Sequence, residues 1–243
     1  KMPLANNNIL VISDLHIPYH NAKAIELALN YGLETNVNTI IINGDLIDFH
    51  NQSRFAKDPR ARDTKHEFDT AKAILKIIRD IFPTQKILYL RGNHDLRWEH
   101  WLYNKAPEIF NDSYFGLDAR LGLNDLKIEL LDDSTVIRAG KLNITHGHHV
   151  IKGVFAPVNP ARGAFIKTKS NTLIGHCHTV SSHTETNLEG HLIGCFSTGC
   201  LCELNPKYDP LNTKHGLGFA RVMFDKDGAF HVENKHIYKN KIL

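Results

Sequence analysis

Five short polar clusters carry most of the chemistry this chain can offer: Asp14-Leu15-His16, Gly44-Asp45-Leu46-Ile47-Asp48, Gly92-Asn93-His94-Asp95, His146-Gly147-His148 and Gly175-His176-Cys177-His178. Carboxylate, imidazole and amide groups are the donors that hold divalent cations. Asp14 and His16 stand two residues apart, as do His176 and His178. At the end of a strand that spacing points both side chains of a pair the same way, and turns Cys177 the other way. Gly44 lets the backbone turn tightly before Asp45, whose two carboxylate oxygens can bridge two cations. Asp48 reads either as a carboxylate that orients a ligand or as a helix cap. Asn93 offers a neutral amide oxygen. His94 followed by Asp95 is a general-acid arrangement, with the carboxylate orienting the ring. Gly-Asn-His-Asp is also an ordinary turn sequence. A lone histidine is usually a hydrogen-bonded core or surface residue. Repetition beside carboxylates and other histidines favours metal chemistry here. His50, His148 and His149 are assigned no role.

These clusters need a scaffold, and most follow an apolar run. Strands are expected over Asn8 to Ser13, Thr39 to Ile42 and Lys86 to Leu90. Helical spacing runs from Asn21 to Tyr31, with Gly32 as a stop, and from His66 to Phe82, ended by Pro83. Strand–helix–strand–helix–strand implies a sheet with helical crossovers, whose carboxyl edge is where ligands bind. The second half reads as β-rich. Thr135 to Arg138 and Lys141 to Thr145 flank an Ala139-Gly140 hairpin turn. Thr172 to Ile174, Gly190 to Phe196, Phe219 to Phe224 and Ala229 to Val232 are further strands, the last two joined at Asp225-Lys226-Asp227-Gly228. With no linker or repeat, residues 1–243 read as a single domain. Lys1, ahead of Met2, reads as an added residue.

The 243 residues are 42% hydrophobic and 23% charged, with a formal charge of +3, so nothing announces a nucleic-acid binder. Sixteen histidines are the anomaly, and histidine is the commonest metal ligand. No apolar run approaches membrane-spanning length and no signal peptide is visible, so the expected location is the cytoplasm. Cys177, Cys195, Cys200 and Cys202 read as reduced thiols, with Cys195 and Cys200 as small buried residues. A structural zinc site has little weight without a CxxC pair.

The order D-x-H, G-D-x-x-D, G-N-H-D, H-G-H and G-H-x-H resembles that of the calcineurin-like metallophosphoesterases, from about Ile9 to at least Cys202. The stretch Gly199 to Pro206, with Ser53-Arg54-Phe55, resembles the small versions found in bacteria and their phages. The resemblance implies an α/β (α+β) fold, a four-layer αββα sandwich of two mixed β-sheets flanked by helices. It implies that Asp14, His16 and His178 bind one metal, that Asn93, His146 and His176 bind a second, and that Asp45 bridges them. His94 would face the leaving group, with Asp95 orienting it. Two divalent ions roughly 3.5–4 Å apart would hold a hydroxide that attacks phosphorus in line. Oxygen and nitrogen donors suit Mn²⁺, Fe or Zn²⁺, with Mn²⁺ favoured.

The expected substrate is a phosphate ester, a phosphodiester ahead of a monoester. Arg54 is the expected substrate contact. A nuclease is the alternative, since Arg54, Lys57, Arg60, Arg62 and Lys65 form a basic run and Trp98 and Trp101 could stack bases. A solvated loop and a core-packing helix are favoured for those residues. A non-catalytic scaffold of the same fold is the least favoured reading, because the ligand set is intact.

Overall fold

The computed structural model describes residues 1–53, 63–151, 158–205 and 213–243. In chain order the elements are β1 (Met2–Pro3), β2 (Asn8–Ile12), α1 (Ala22–Glu34), β3 (Thr39–Asn43), α2 (Thr64–Ile81), β4 (Lys86–Leu90), α3 (Leu96–Lys105), α4 (Leu117–Leu121), β5 (Ile128–Leu131), β6 (Ile137–Ala139), β7 (Leu142–Thr145), α5 (Pro160–Thr168), β8 (Thr172–Ile174), β9 (Ser181–Thr186), β10 (Leu192–Ser197), β11 (Leu217–Phe224), β12 (Phe230–Tyr238) and β13 (Lys241–Ile242). One sheet has the order β13-β12-β11-β2-β3-β4-β5 and the other β1-β6-β7-β8-β10-β9. Both are mixed: β2, β3, β4 and β5 are parallel, as are β7, β8 and β10, while β11 and β9 run against their neighbours.

The central strands are apolar on both faces because both faces are covered. Ile9, Val11, Ile41 and Leu88 point into the space between the sheets, where they meet Ile137, Leu142, Ile144 and Leu173. The alternate residues Leu10, Ile12, Ile40, Ile42, Ile87 and Tyr89 pack with Ala28, Leu29, Phe68, Ala71, Leu75 and Ile78 of α1 and α2. On the far side, Ala161 and Ala164 of α5 cover Ile174, Ile193 and Cys195. The layers are therefore helix, sheet, sheet, helix, the αββα sandwich that the family resemblance implies.

Several local expectations differ from the structure. Helix α1 continues through Gly32, where a Cβ would meet Leu10 and Phe82 at 3.0 and 3.1 Å; the glycine serves close helix–sheet packing, not a stop. Helix α2 begins at Thr64, with the Asp63 side chain accepting from Lys65 N. Strand β12 runs on to Tyr238. Strand β9, Ser-Ser-His-Thr-Glu-Thr, is an exposed edge, so it carries no apolar alternation to read. Helix α5 and strand β5 were likewise not anticipated.

Candidate metal centre

All five clusters leave the carboxyl ends of strands: Asp14 and His16 after β2, Asp45 after β3, Asn93 and His94 after β4, His146 after β7, and His176 and His178 after β8. Parallel pairing within each sheet brings these ends to one edge of the sandwich. Strand alternation does not aim the paired ligands, as the two-residue spacing suggested. Strand β2 stops at Ile12, and Asp14 and His16 take left-handed backbone conformations with φ 56° and 47°. Asp45, His176 and His178 do the same at φ 51°, 64° and 54°. Asp and His are among the non-glycine residues that tolerate this region best. Main-chain bonds hold the unusual path, with Asp14 N donating to Gly44 O and His16 N to Asp45 O, both at 3.0 Å. Gly44, at φ 88°, leaves no room for a Cβ, which would strike the His146 ring.

Two groups of donor atoms result. In the first, His178 Nε2 lies 3.2 Å from Asp14 Oδ1, and His16 Nε2 lies 3.0 Å from His178 Nε2 and 3.8 Å from Asp14 Oδ1. The second combines Asp45, His146 and His176, whose donor atoms lie within 4.8 Å of one another. Asp45 Oδ2 stands between the groups, 3.3 Å from His146 Nε2 and 3.7 Å from His16 Nε2. Asn93 sits in a turn whose next residue, His94, donates its N–H to Asp45 Oδ1 at 2.8 Å.

The donor set fits divalent cations. Asp14 Oδ1, Asn93 Oδ1 and His146 Nε2 are buried and have no hydrogen-bond partner. Orphaned buried polar atoms are costly unless a further group completes them. The ring tautomers agree. His146 Nδ1 is 2.7 Å from the Asn43 carbonyl, which can only accept, so the ring's proton is on Nδ1 and Nε2 offers its lone pair. Asp48 Oδ1 does the same for His16, at 3.1 Å from Nδ1.

The electrostatics point the same way. Burial pushes the Asp14 and Asp45 carboxyls up, but nearby histidines, led by His178 for Asp14 and by His146 for Asp45, hold both below the usual carboxylate range. Burial pulls His16 down, yet Asp14 and Asp48 raise it to about 9; burial also pulls His146 down, but Asp45, with Asp14 and the Asn43 carbonyl, raises it to about 9. Without metal, this pocket collects protons in place of cations. His176 and His148 go the other way, to about 4, through burial and the charge of His146.

His94 corrects one expectation. Asp95 does not orient its ring; Asp48 does, with Oδ1 3.0 Å and the carbonyl 3.1 Å from His94 Nδ1. Asp95 instead accepts from the backbone N–H groups of Gly92, Asp45 and Ile47 at 2.8, 2.9 and 3.2 Å. It ties the β3 and β4 loops together and so fixes Asp45. Burial and the Asp45 charge push the Asp95 carboxyl up to about 6, against the pull of its N–H donors. Arg97 was not anticipated: its Nη2 lies 2.9 Å from His94 Nε2, and its Nη1 donates to Asp48 O at 2.8 Å. Its signal was the three-residue helical spacing from His94.

The remaining histidines and aromatics also find places. His50 Nδ1 lies 3.8 Å from Asp48 Oδ2. His148 and His149 both face Asp133 Oδ2, at 3.3 and 2.7 Å, and the His148 ring is 6.2 Å from that of His176. Cys177 packs on the α5 side, where burial pushes its thiol up to about 12. Trp98 is core: it stacks on Trp101 at 5.5 Å, meets Phe68 at 5.2 Å and donates to Phe115 O at 2.8 Å, so it is no platform for bases. Lys65 is exposed and pairs with Asp69 one helical turn on. Arg54, Lys57, Arg60 and Arg62 lie outside the described residues. No helix among the described residues is long and apolar enough to cross a membrane.

The gene 54 proteins of Mycobacterium phages L5 and D29 are 26% and 25% identical over 187 residues, covering 74% of this chain and 72% of each phage protein. Among solved structures, the Yfce phosphoesterase of E. coli matches with a TM-score of 0.46 at 15% identity, covering 93% of this chain and 98% of that one. A dimetal phosphatase from Danio rerio matches at 0.44 and 14%, covering 90% and 93%. The calcineurin-like phosphoesterase family matches residues 8–197, a span that holds all five clusters. By that match the chain belongs to the calcineurin-like phosphoesterase family.

Proposed function

We propose that this chain hydrolyses phosphate esters, phosphodiesters ahead of monoesters, with two divalent metal ions as cofactors. Asp14, His16 and His178 would hold one ion, Asn93, His146 and His176 would hold the other, and Asp45 would bridge them. Oxygen and nitrogen donors without thiolate suit Mn²⁺, Fe or Zn²⁺, among which Mn²⁺ is the ion we favour. The observation that carries this reading is the gathering of Asp14, His16 and His178 in one donor group and of Asp45, His146 and His176 in another, with Asp45 Oδ2 3.3 Å from His146 Nε2 and 3.7 Å from His16 Nε2.

When bound, the ions supply Lewis acidity toward phosphoryl oxygens and make water a nucleophile near neutral pH. The protein's own groups do the rest. Asp95 holds the turn that presents Asp45. Asp48 orients both His16 and His94 through one oxygen. With Nδ1 committed to Asp48, the His94 ring has only Nε2 to offer a leaving oxygen. Burial keeps this ring below its ordinary pKa, so its proton is easily released. Nε2 cannot carry that proton and accept from Arg97 at once. The ring is therefore charged only when the guanidinium turns away, and the turned guanidinium is a cation for a phosphoryl oxygen.

Reconstitution of metal-free protein with Mn²⁺, Fe²⁺ or Zn²⁺, assayed on monoesters, cyclic and linear diesters and DNA, tests the reading. The expected result is two ions per chain, loss of activity on chelation and preference for small diesters. Saturation at one ion would sink the dinuclear centre.

A further inference from the structure

Behind His178 lies a pair of thiols that the dinuclear reading does not use. Cys200 is fully buried, Cys202 is 5% exposed, and both are free. Their stretch of chain is pinned on both sides. Cys200 forms a β-bridge to Leu217 and Cys202 one to His20, while the Leu201 N–H between them donates to the Asp14 carbonyl at 3.1 Å. Gly199 allows this close approach, since a Cβ there would strike the Gly216 carbonyl. The thiols are thus built against the very loop that carries the first ligand group.

The Cys202 Sγ stands 3.9 Å from His178 Nδ1, and one donor atom each from Cys200, Cys202 and His178 lies within 4.8 Å of the others. In tetrahedral zinc sites the Zn–S and Zn–N distances of roughly 2.3 and 2.0–2.1 Å put nitrogen and sulfur about 3.6 Å apart. The trio is a few tenths of an ångström from that spacing on its measured edge. Two sulfurs and one imidazole are also a softer set than the oxygen and nitrogen donors next to them, and soft donors select different ions.

We propose that Cys200, Cys202 and His178 Nδ1 form a separate site for a thiophilic divalent cation such as Zn²⁺ or Cd²⁺. On binding, each thiol releases its proton to solvent and its sulfur donates an electron pair; nothing is oxidised or reduced. Three protein ligands leave a fourth position for water. The same imidazole turns Nε2 toward Asp14, at 3.2 Å. A neutral ring bound through Nδ1 keeps its proton on Nε2, so a cation on the sulfur side competes with the first ligand group for His178 and leaves the Asp45–His146–His176 group untouched.

The test is titration of the full, metal-free chain with Cd²⁺. An ultraviolet sulfur-to-cadmium charge-transfer band should appear and saturate at one equivalent of thiolate-bound ion. It should vanish in the Cys200→Ser/Cys202→Ser double variant. Cadmium NMR of the wild type should show one thiolate-shifted signal apart from those of the oxygen and nitrogen sites, a result that does not depend on how the variant folds. Folded wild type with neither band nor thiolate-shifted signal overturns the proposal. So does a band that survives the double substitution in a folded variant, because the sulfur ligands would then be Cys177 or Cys195. Mn²⁺ saturation below two equivalents in cadmium-free protein, with the band intact in the cadmium titration, would count against the dinuclear reading alone.

Discussion

The two ligand groups are held from outside in different ways. In the first, the far nitrogens of the rings face side chains: Asp48 beside His16, and the Cys202 sulfur beside His178. In the second, His146 is fully buried and its far nitrogen rests on a main-chain carbonyl, that of Asn43, the last residue of β3. A carbonyl has one charge state and no substitution removes it. The fold itself therefore sets the aim of His146, while replaceable, titratable groups set the aim of His16 and His178. The second group should be the more rigid and the first the more easily tuned.

Asp45→Asn should erase the contrast. Asp45 Oδ2 serves both groups, and a neutral amide bridges cations poorly. Both ions should be lost at micromolar metal, with activity falling to background; elemental analysis after dialysis reads this directly. Retention of one full equivalent would show that Asp45 belongs to a single site. His94→Asn should leave metal content unchanged and lower turnover by about 10²–10⁴-fold, the usual contribution of a general acid. The drop should shrink for a nitrophenolate leaving group, which needs no proton. An equal drop for good and poor leaving groups would assign His94 to positioning.

Asp48→Asn sharpens the contrast between the groups. Replacing such an outer partner costs about 10–100-fold in metal affinity or activity. Here the affinity loss should fall on the first ion alone, so Mn²⁺ titration of the variant should split into one weakened and one unchanged step. Uniform weakening would mean that the two groups are not separately supported.

The smallest expected effect is on the stability of the metal-free chain. His16 and His146 rise from 6.5 to about 9 in the folded state. A raised histidine contributes stability that is fully present below the unfolded value and is lost as pH climbs through the folded one. The Tm of metal-free protein should therefore fall between pH 6.5 and 9, and saturating Mn²⁺ should flatten the decline by replacing the protons. A Tm that rises across this window would contradict the assigned ring environments.

Much of the site was legible because its residues sit just past apolar strands, and strand ends can be read from hydrophobic runs. The sandwich was legible less from periodicity than from the order of the five motifs. What stayed hidden depended on contacts between loops. Asp48 and Asp95 are both acids a few residues beyond a strand, and sequence spacing favoured the neighbour of His94. The actual partner is Asp48, forty-six positions away, because β3 and β4 are adjacent and parallel. Arg97 was missed because the start of α3 was not placed. Exposed β9 was missed because an edge strand need not alternate.

The left-handed backbone at Asp14, His16, Asp45, His176 and His178 has a consequence for how such a protein can change. Each L-residue in that region gives up about 1 kcal/mol or more relative to glycine, which enters it freely. His176, at φ 64°, is the clearest case, since burial already keeps its ring uncharged. A glycine there would relax the empty chain while deleting a donor. A bound ion stabilises the loaded form, and so offsets that strain only when the donors are kept.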